Sequence, residues 1–179
     1  MASPTQPYQP SLLRLLHAAV ALLVPLAWLS GLVVLLNHDK RLLTIPWQLP
    51  GDWVDIHGSI GALLWPVALV FAFYGLTLGR ARLRHAANTA PLLLLGLAVV
   101  SGKLMDEDWL RDGELHHLAY KLHVLAWALL AVAVIWHGAS ALGRGGVPLV
   151  RSMVALTVRP NDGPRQWPAQ FRRFWQQRR

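Results

Sequence analysis

Four of the eight histidines lie within long apolar stretches or at their edges, where an ionisable side chain is costly to place. They are His17, His57, His123 and His137. A histidine in such a setting binds a metal or hydrogen-bonds to a neighbouring helix. The chain has no cysteine, which excludes disulfides, thiolate metal sites, a catalytic thiol and the Cys-x-x-Cys-His attachment of c-type haem. Any metal chemistry must therefore use histidine or carboxylate ligands.

The spacing of these histidines predicts two pairs at different depths. His123 and His137 are 14 positions apart, so on one helix they share a face and lie roughly 21 Å apart along its axis. Because consecutive membrane helices run in opposite directions, His57 should match His123 in depth, and His17 should match His137. The sequence thus predicts one histidine pair near each side of the membrane.

A ligand held by two histidines and no other protein donor favours haem over zinc. Zinc takes four ligands, or three and a water, at about 2.0–2.1 Å, so histidines at depths roughly 21 Å apart cannot form one zinc site. The porphyrin supplies four equatorial nitrogens and leaves two axial positions for histidine, and without cysteine attachment the haem would be b-type. Iron with both axial positions filled is expected to transfer single electrons. A haem-free scaffold, whose histidines only hydrogen-bond between helices, is the alternative from another class.

Four charge-free stretches are long and apolar enough to carry these histidines across a membrane. The predicted spans are residues 15–37, 56–79, 86–102 and 122–143. Of the 179 residues, 54% are hydrophobic and 15% are charged, against roughly 25% charged in soluble domains. Prolines inside the spans are compatible with membrane helices, because neighbouring helices can satisfy the freed carbonyls. We therefore expect an all-α integral membrane four-helix bundle.

Lys and Arg are distributed unevenly over the two sides of such a bundle. Twelve fall on the side of both termini and five on the other side, so the positive-inside rule places both termini in the cytoplasm. The net charge of +8 thus follows from membrane topology and gives no reason to expect nucleic-acid binding. No Asp, Glu, Lys or Arg lies inside a predicted span, which argues against a carboxylate proton relay.

The sequence predicts a four-span domain over residues 1–143 and an arginine-rich cytoplasmic tail over residues 144–179. The tail holds eight arginines, one aspartate and four aromatic residues, which suits a segment that lies on the anionic inner leaflet or docks a partner. Glycines in the spans could leave room for a flat macrocycle or serve ordinary helix packing. These glycines are Gly31, Gly58, Gly61, Gly96 and Gly138. The other four histidines, expected in loops, are His38, His85, His116 and His117.

The ordered histidine motifs carry a family resemblance. They are Arg14-Leu15-Leu16-His17, His57-Gly58-Ser59-Ile60-Gly61, Leu122-His123 and Trp136-His137. In this order they resemble the bacterial di-haem cytochrome b561 family, and within it the cytochrome b (gamma) subunits of respiratory formate dehydrogenases and related periplasmic oxidoreductases. The likeness covers about residues 11–158, and the chain departs from those subunits by a short outer connection before the fourth span.

The resemblance implies roles for individual residues. The four histidines would be the axial ligands of two non-covalent b haems, and Arg14 would pair with a haem propionate. Asn88 and His137 match the positions that border the quinone site in the gamma subunits. The family likeness thus places a quinone, the expected substrate, beside the haem nearer the cytoplasm.

The function expected from these features is transmembrane electron transfer between an outer-surface redox partner and a membrane quinone. The chain would be the membrane anchor and electron-transfer subunit of a respiratory oxidoreductase in the bacterial inner membrane, with an iron–sulfur protein or a cytochrome as its partner. A second expectation is a stand-alone cytochrome b561 that oxidises a small reductant such as superoxide, with quinone as acceptor. The direction of electron flow does not follow from the sequence.

Overall fold

The computed structural model describes residues 9–41, 46–106 and 117–177. Within these ranges the regular structure is entirely helical. The elements in chain order are α1 (Ser11–His38), α2 (Trp53–Leu76), a short 3-10 segment (Arg80–Arg84), α3 (Ala86–Asp106), α4 (Leu118–Val154) and α5 (Trp167–Gln176).

The first four helices are long and apolar enough to cross a membrane. Only 6–22% of the residues in their most apolar windows are buried inside the protein, and side chains such as Leu22, Leu63 and Ile135 are exposed. A soluble protein rarely exposes so much continuous apolar surface, so these faces contact lipid. The expected all-α membrane four-helix bundle is confirmed, and the chain is a multi-pass membrane protein.

Local chemistry sets the ends of the helices. Asp52 caps α2 by accepting a 3.1 Å hydrogen bond from the Asp55 N–H, and His117 caps α4 by accepting a 3.2 Å bond from the Ala119 N–H. Helix α4 continues past the predicted end at residue 143 and bends at Gly146, whose φ of 61° is strained for any residue with a side chain. The prolines inside the first three spans leave their helices continuous, as predicted.

The bundle consists of two closely packed hairpins, α1 on α2 and α3 on α4. Contacts between the hairpins are fewer and run from α1 to α4 and from α2 to α3, so α2 and α4 lie diagonally opposite. A small core of Leu64, Ala68, Leu95 and Leu130 joins the hairpins at mid-height.

The start of α1 and the segment after α4 meet at one end of the bundle. Arg14 is fully buried there, and its guanidinium donates hydrogen bonds to the carbonyls of Gln9, Ala155 and Thr157. The Ser11 N–H donates to the Asp162 carboxylate over 2.6 Å. Both described ends of the chain therefore lie on one side, as an even number of spans requires.

Candidate functional site

One histidine pair bridges the diagonal of the bundle. His57 stands on the first turns of α2 and His123 on the first turns of α4, and their ring centroids are 6.0 Å apart with planes 76° to each other. We refer to them as the α2/α4 pair. The two helices make little other contact, so these imidazoles face each other across the gap between the hairpins.

Each ring of the α2/α4 pair contacts a short segment of the preceding helix, residues 27–31 for His57 and residues 98–102 for His123. We call each of these segments a seat. The Nδ1 of His57 lies 3.0 Å from the Ser30 Oγ. The Nδ1 of His123 lies 3.2 Å from the Ser101 Oγ and 2.9 Å from the Ala98 carbonyl. Both serine hydroxyls donate back to carbonyls of their own helix.

A glycine completes each seat. A Cβ added to Gly31 would lie 3.0 Å from the Cε1 of His57, and a Cβ added to Gly102 would lie 3.0 Å from the Cε1 of His123. Any larger side chain would push the ring out of place. The same five-residue pattern, Ala-x-x-Ser-Gly, thus recurs at 27–31 in α1 and at 98–102 in α3 and makes the same contacts.

The second histidine pair joins α1 to α4 at the other end of the bundle. The ring centroids of His17 and His137, the α1/α4 pair, are also 6.0 Å apart, but their planes are inclined by only 39°. The Nδ1 of His137 lies 3.0 Å from the Ala87 carbonyl. The Nδ1 of His17 is buried without a hydrogen-bond partner among the described residues, and its ring has an edge contact with Phe71 at 6.2 Å.

Hydrogen-bond partners indicate the tautomer of three of these rings. A carbonyl oxygen only accepts, so the Nδ1 of His123 and of His137 carries the proton. The Ser30 hydroxyl donates to the Leu26 carbonyl, so its oxygen accepts from the Nδ1 of His57. Each Nε2 then keeps its lone pair and can bind a metal, while the Nδ1 bond orients the ring from behind. These rings are arranged as metal ligands commonly are in proteins.

The distances fit an atom bound between two imidazoles. With metal–nitrogen bonds of about 2.0–2.1 Å, the ring centres of two axial histidines lie about 6 Å apart. Among the described residues, no group of three or more His, Cys, Asp or Glu could hold a metal ion. A bare ion that needs three or four protein ligands therefore fits poorly, whereas a haem, which brings four nitrogens of its own, needs only the pair.

The surroundings of the α2/α4 pair are largely apolar. A cavity of about 80 Å³ opens beside the rings, with Val34, Leu35, Met105 and Trp127 among its walls. A macrocycle is larger than this cavity, so it would also occupy space along the neighbouring helix faces. Cβ atoms added at Gly58, Gly61, Gly96 or Gly138 would meet nothing within 4 Å, so these glycines border open space.

A tryptophan pair ties α1 to α4 one turn from His123. Trp28 and Trp127 stack with ring centroids 4.7 Å apart and planes 8° apart. Each indole N–H donates to the other residue's carbonyl, over 3.1 and 3.0 Å. This reciprocal contact fixes the separation of the two helices that carry the α1/α4 pair.

Asn88 and Arg14 lie at the same end as the α1/α4 pair. Asn88 directly follows Ala87, the partner of His137; its amide donates to the Arg82 carbonyl over 2.8 Å and accepts from Arg144 over 3.3 Å. The guanidinium of Arg14 is engaged by backbone carbonyls, which anchor the start of α1 to the chain after α4. The pairing of Arg14 with a haem propionate and the quinone contact of Asn88 stay predictions.

The remaining histidines lie outside both pairs. His38 is the exposed last residue of α1 rather than a loop residue, and His85 is exposed between the 3-10 segment and α3. His117 caps α4, and His116 lies outside the described residues.

The sequence reasoning missed Ser30, Ser101 and Gly102 as parts of the site. Their signal was the repeated Ala-x-x-Ser-Gly pattern, which is too short to stand out until each copy is seen beneath a histidine.

No family model, curated protein or solved structure matches this chain. The two histidine pairs are the features of the chain that indicate its function.

Proposed function

We propose that this protein carries electrons across a membrane through two b haems, one held by His57 and His123 and the other by His17 and His137. On this proposal the chain belongs with the di-haem cytochromes of the b561 family. One observation carries it: in each pair the ring separation suits two ligands of one metal atom, and the α4 members, His123 and His137, lie roughly 21 Å apart along the helix.

The chain's own residues would bind, orient and insulate the haems. When bound, each haem supplies one-electron chemistry. The Ser–Gly seats fix the ring planes of the α2/α4 pair, and the Ala87 carbonyl orients His137. The apolar side chains beside the α2/α4 pair would keep water from a haem held there. With two histidines to hold each haem, the sites would support electron transfer rather than oxygen activation.

A membrane quinone is the proposed partner at the end that carries the α1/α4 pair. Quinone chemistry needs protons as well as electrons, so its site should adjoin a haem and polar groups near the surface. Asn88, Arg144 and the Arg82 carbonyl form such a polar group beside the backbone partner of His137. The positive-inside rule assigns this arginine-rich end to the cytoplasm.

At the opposite end, an outer-surface iron–sulfur protein or cytochrome would exchange electrons with the haem of the α2/α4 pair. The protein would then be the membrane anchor and electron-transfer subunit of a respiratory oxidoreductase in a bacterial inner membrane. If it purifies alone and is reduced directly by superoxide, it would instead act as a stand-alone cytochrome.

The test is the haem content of the purified full-length protein in detergent, together with its dithionite-reduced minus oxidised spectrum. We expect about two b haems per chain. Single His57→Ala, His123→Ala, His17→Ala and His137→Ala variants should each retain about one. His38→Ala and His85→Ala serve as matched controls, since both histidines are exposed and lie outside the pairs, and should retain two.

The absence of haem after expression with ample haem supply would overturn the proposal. It would favour a scaffold in which the histidines only join helices. Equal haem loss in the control variants would equally contradict the assignment of the ligands.

A further inference from the structure

A large cavity at the arginine-rich end of the bundle is not used by either histidine pair. It measures about 880 Å³ and lies where the end of α2, the 3-10 segment, the chain after α4 and helix α5 meet. Its charged lining residues are Arg80, Arg82, Arg159, Arg173 and Asp162. Four guanidinium groups thus share one cavity with a single carboxylate.

The single carboxylate in the cavity, that of Asp162, already has hydrogen-bond and ion-pair partners. Asp162 accepts hydrogen bonds from the Ser11 N–H over 2.6 Å and from the Gln170 amide over 2.8 Å, and Arg159 lies 3.8 Å away. Although partial burial raises the pKa of Asp162, these hydrogen bonds outweigh it and hold the pKa below its usual range. Asp162 therefore stays ionised and balances one arginine, which leaves three positive charges in excess.

The three other arginines have uncharged partners. Arg82 donates to the Gln9 side-chain oxygen over 2.8 Å, and Arg173 donates to the Ala169 carbonyl over 3.4 Å. Arg80 lies over the Phe174 ring at 6.0 Å. None of these contacts neutralises a guanidinium, so the cavity attracts an anion with several acceptor oxygens.

The position of the cavity favours an anion that also has an apolar part. Helix α2 leaves the membrane here, and its last turns present the exposed side chains of Phe73 and Leu76 beside the cavity wall formed by Tyr74 and Leu78. Helix α5 closes the other wall by stacking Phe171 on Phe73 at 5.4 Å. A ligand seated among the arginines would thus have an apolar surface directly adjoining it on the membrane side.

We propose that this cavity binds the phosphate-bearing headgroup of an anionic phospholipid, with its acyl chains along the exposed face of α2. The guanidinium group of arginine pairs with phosphate oxygens through two parallel hydrogen bonds, and basic pockets at helix ends favour anionic headgroups. Free phosphate offers the same oxygens but has no apolar part to use the neighbouring surface. The assignment does not depend on haem binding.

The full-length protein, stripped of lipid in detergent, can be titrated with phosphatidylglycerol, phosphatidylcholine or inorganic phosphate, with bound lipid read by native mass spectrometry. We expect one phosphatidylglycerol to remain bound under conditions that release phosphatidylcholine. Arg80→Gln combined with Arg173→Gln should weaken this binding about tenfold or more. Arg165→Gln combined with Arg172→Gln is the matched control, because it removes the same charge from exposed arginines outside the cavity.

Equal weakening in the control pair would overturn the proposal, since it would show attraction to the basic tail as a whole. Displacement of phosphatidylglycerol by millimolar inorganic phosphate would overturn the lipid assignment and leave a site for the free anion. Helix content by circular dichroism, together with elution as a single species, establishes that the variants are folded without reference to haem.

Discussion

The two histidine pairs have the same ring separation but are held in different ways. In the α2/α4 pair, each ring has a serine hydroxyl at Nδ1 and a glycine against its edge, and His123 has a carbonyl at Nδ1 as well. In the α1/α4 pair, His137 has one carbonyl and His17 has no Nδ1 partner among the described residues. One site is therefore fixed by repeated local contacts, and the other depends on the packing of α1 against α4.

The two pairs should therefore respond to different substitutions. A seat that touches the ring can be damaged by a single added methyl group, whereas a ring held by packing responds to changes spread over two helices. We therefore expect the haem of the α2/α4 pair to be the more sensitive to substitutions in the seats.

If each pair holds a haem as proposed, the largest expected effect is the loss of one haem. Gly31→Val or Gly102→Val would drive side-chain atoms into the ring of His57 or His123, because even a Cβ would lie 3.0 Å from the Cε1 atom. Haem content should fall from about two to about one per chain. Gly143→Val, whose Cβ would meet nothing within 4 Å, should keep both. Two haems with unchanged spectra in either seat variant would contradict the role of the seats.

A smaller effect, on thermal stability, is expected from the hydrogen bonds of Asp39 near the α2/α4 pair. Asp39 is buried and accepts hydrogen bonds from Arg41 over 2.8 Å and from the Tyr120 hydroxyl over 2.7 Å, and Tyr120 also lines the cavity beside the rings. Asp39→Asn should lower the melting temperature by several degrees while haem content stays at two. Loss of haem in this variant would show that Asp39, as well as the Ser–Gly seats, is needed to hold the haem of the α2/α4 pair.

The stabilisation from Asp39 should depend on pH with a definite sign. The Arg41 hydrogen bonds hold the pKa of Asp39 well below its usual range, although burial raises it. A depressed pKa gives stability that is complete above the unfolded value of about 3.9 and is lost as the pH falls through the folded value. The difference in melting temperature between the parent and Asp39→Asn should therefore be constant from about pH 9 to pH 5 and shrink below about pH 4. A difference that shrinks above pH 5 would contradict this.

A further effect concerns reduction potential. Ser30→Ala or Ser101→Ala removes one hydrogen-bond acceptor from Nδ1, which makes the histidine a weaker donor to iron and should raise the potential of one haem by a few tens of millivolts. The haem of the α1/α4 pair provides the control within the same redox titration. Threonine at either position should restore the parent potential. Equal shifts of both haems would show that the serines act on the bundle as a whole.

The smallest expected difference needs no substitution. The ring planes are 76° apart in the α2/α4 pair and 39° apart in the α1/α4 pair. The angle between axial imidazole planes sets the splitting of the iron d orbitals, so the α2/α4 haem should give the more anisotropic low-spin electron paramagnetic resonance signal. His17→Ala should remove the less anisotropic signal alone. Two identical signals would mean that the ring planes adjust when haem binds.

The sequence predicted the membrane fold and the pairing of the histidines because both depend on local properties. Span length follows from the run of apolar residues, and the shared face of His123 and His137 follows from the helical repeat. Most helix bounds differ from the prediction by at most four residues, and the end of α4 differs by eleven, since helix ends depend on caps such as Asp52 and His117 and on the bend at Gly146.

The contacts that hold the rings depend on how the helices pack against one another. Ser30 and His57 are 27 positions apart, and Ser101 and His123 are 22 apart, so their contact depends on how each helix is rotated against the next. The same holds for Arg14, whose buried guanidinium meets carbonyls at residues 155 and 157. A sequence pattern fixes which residues share a face of one helix, but hydrogen-bond partners across helices are fixed by packing. The histidine pairs could thus be predicted from the sequence, whereas their seats and the arginine-lined cavity depend on the packing of the whole bundle.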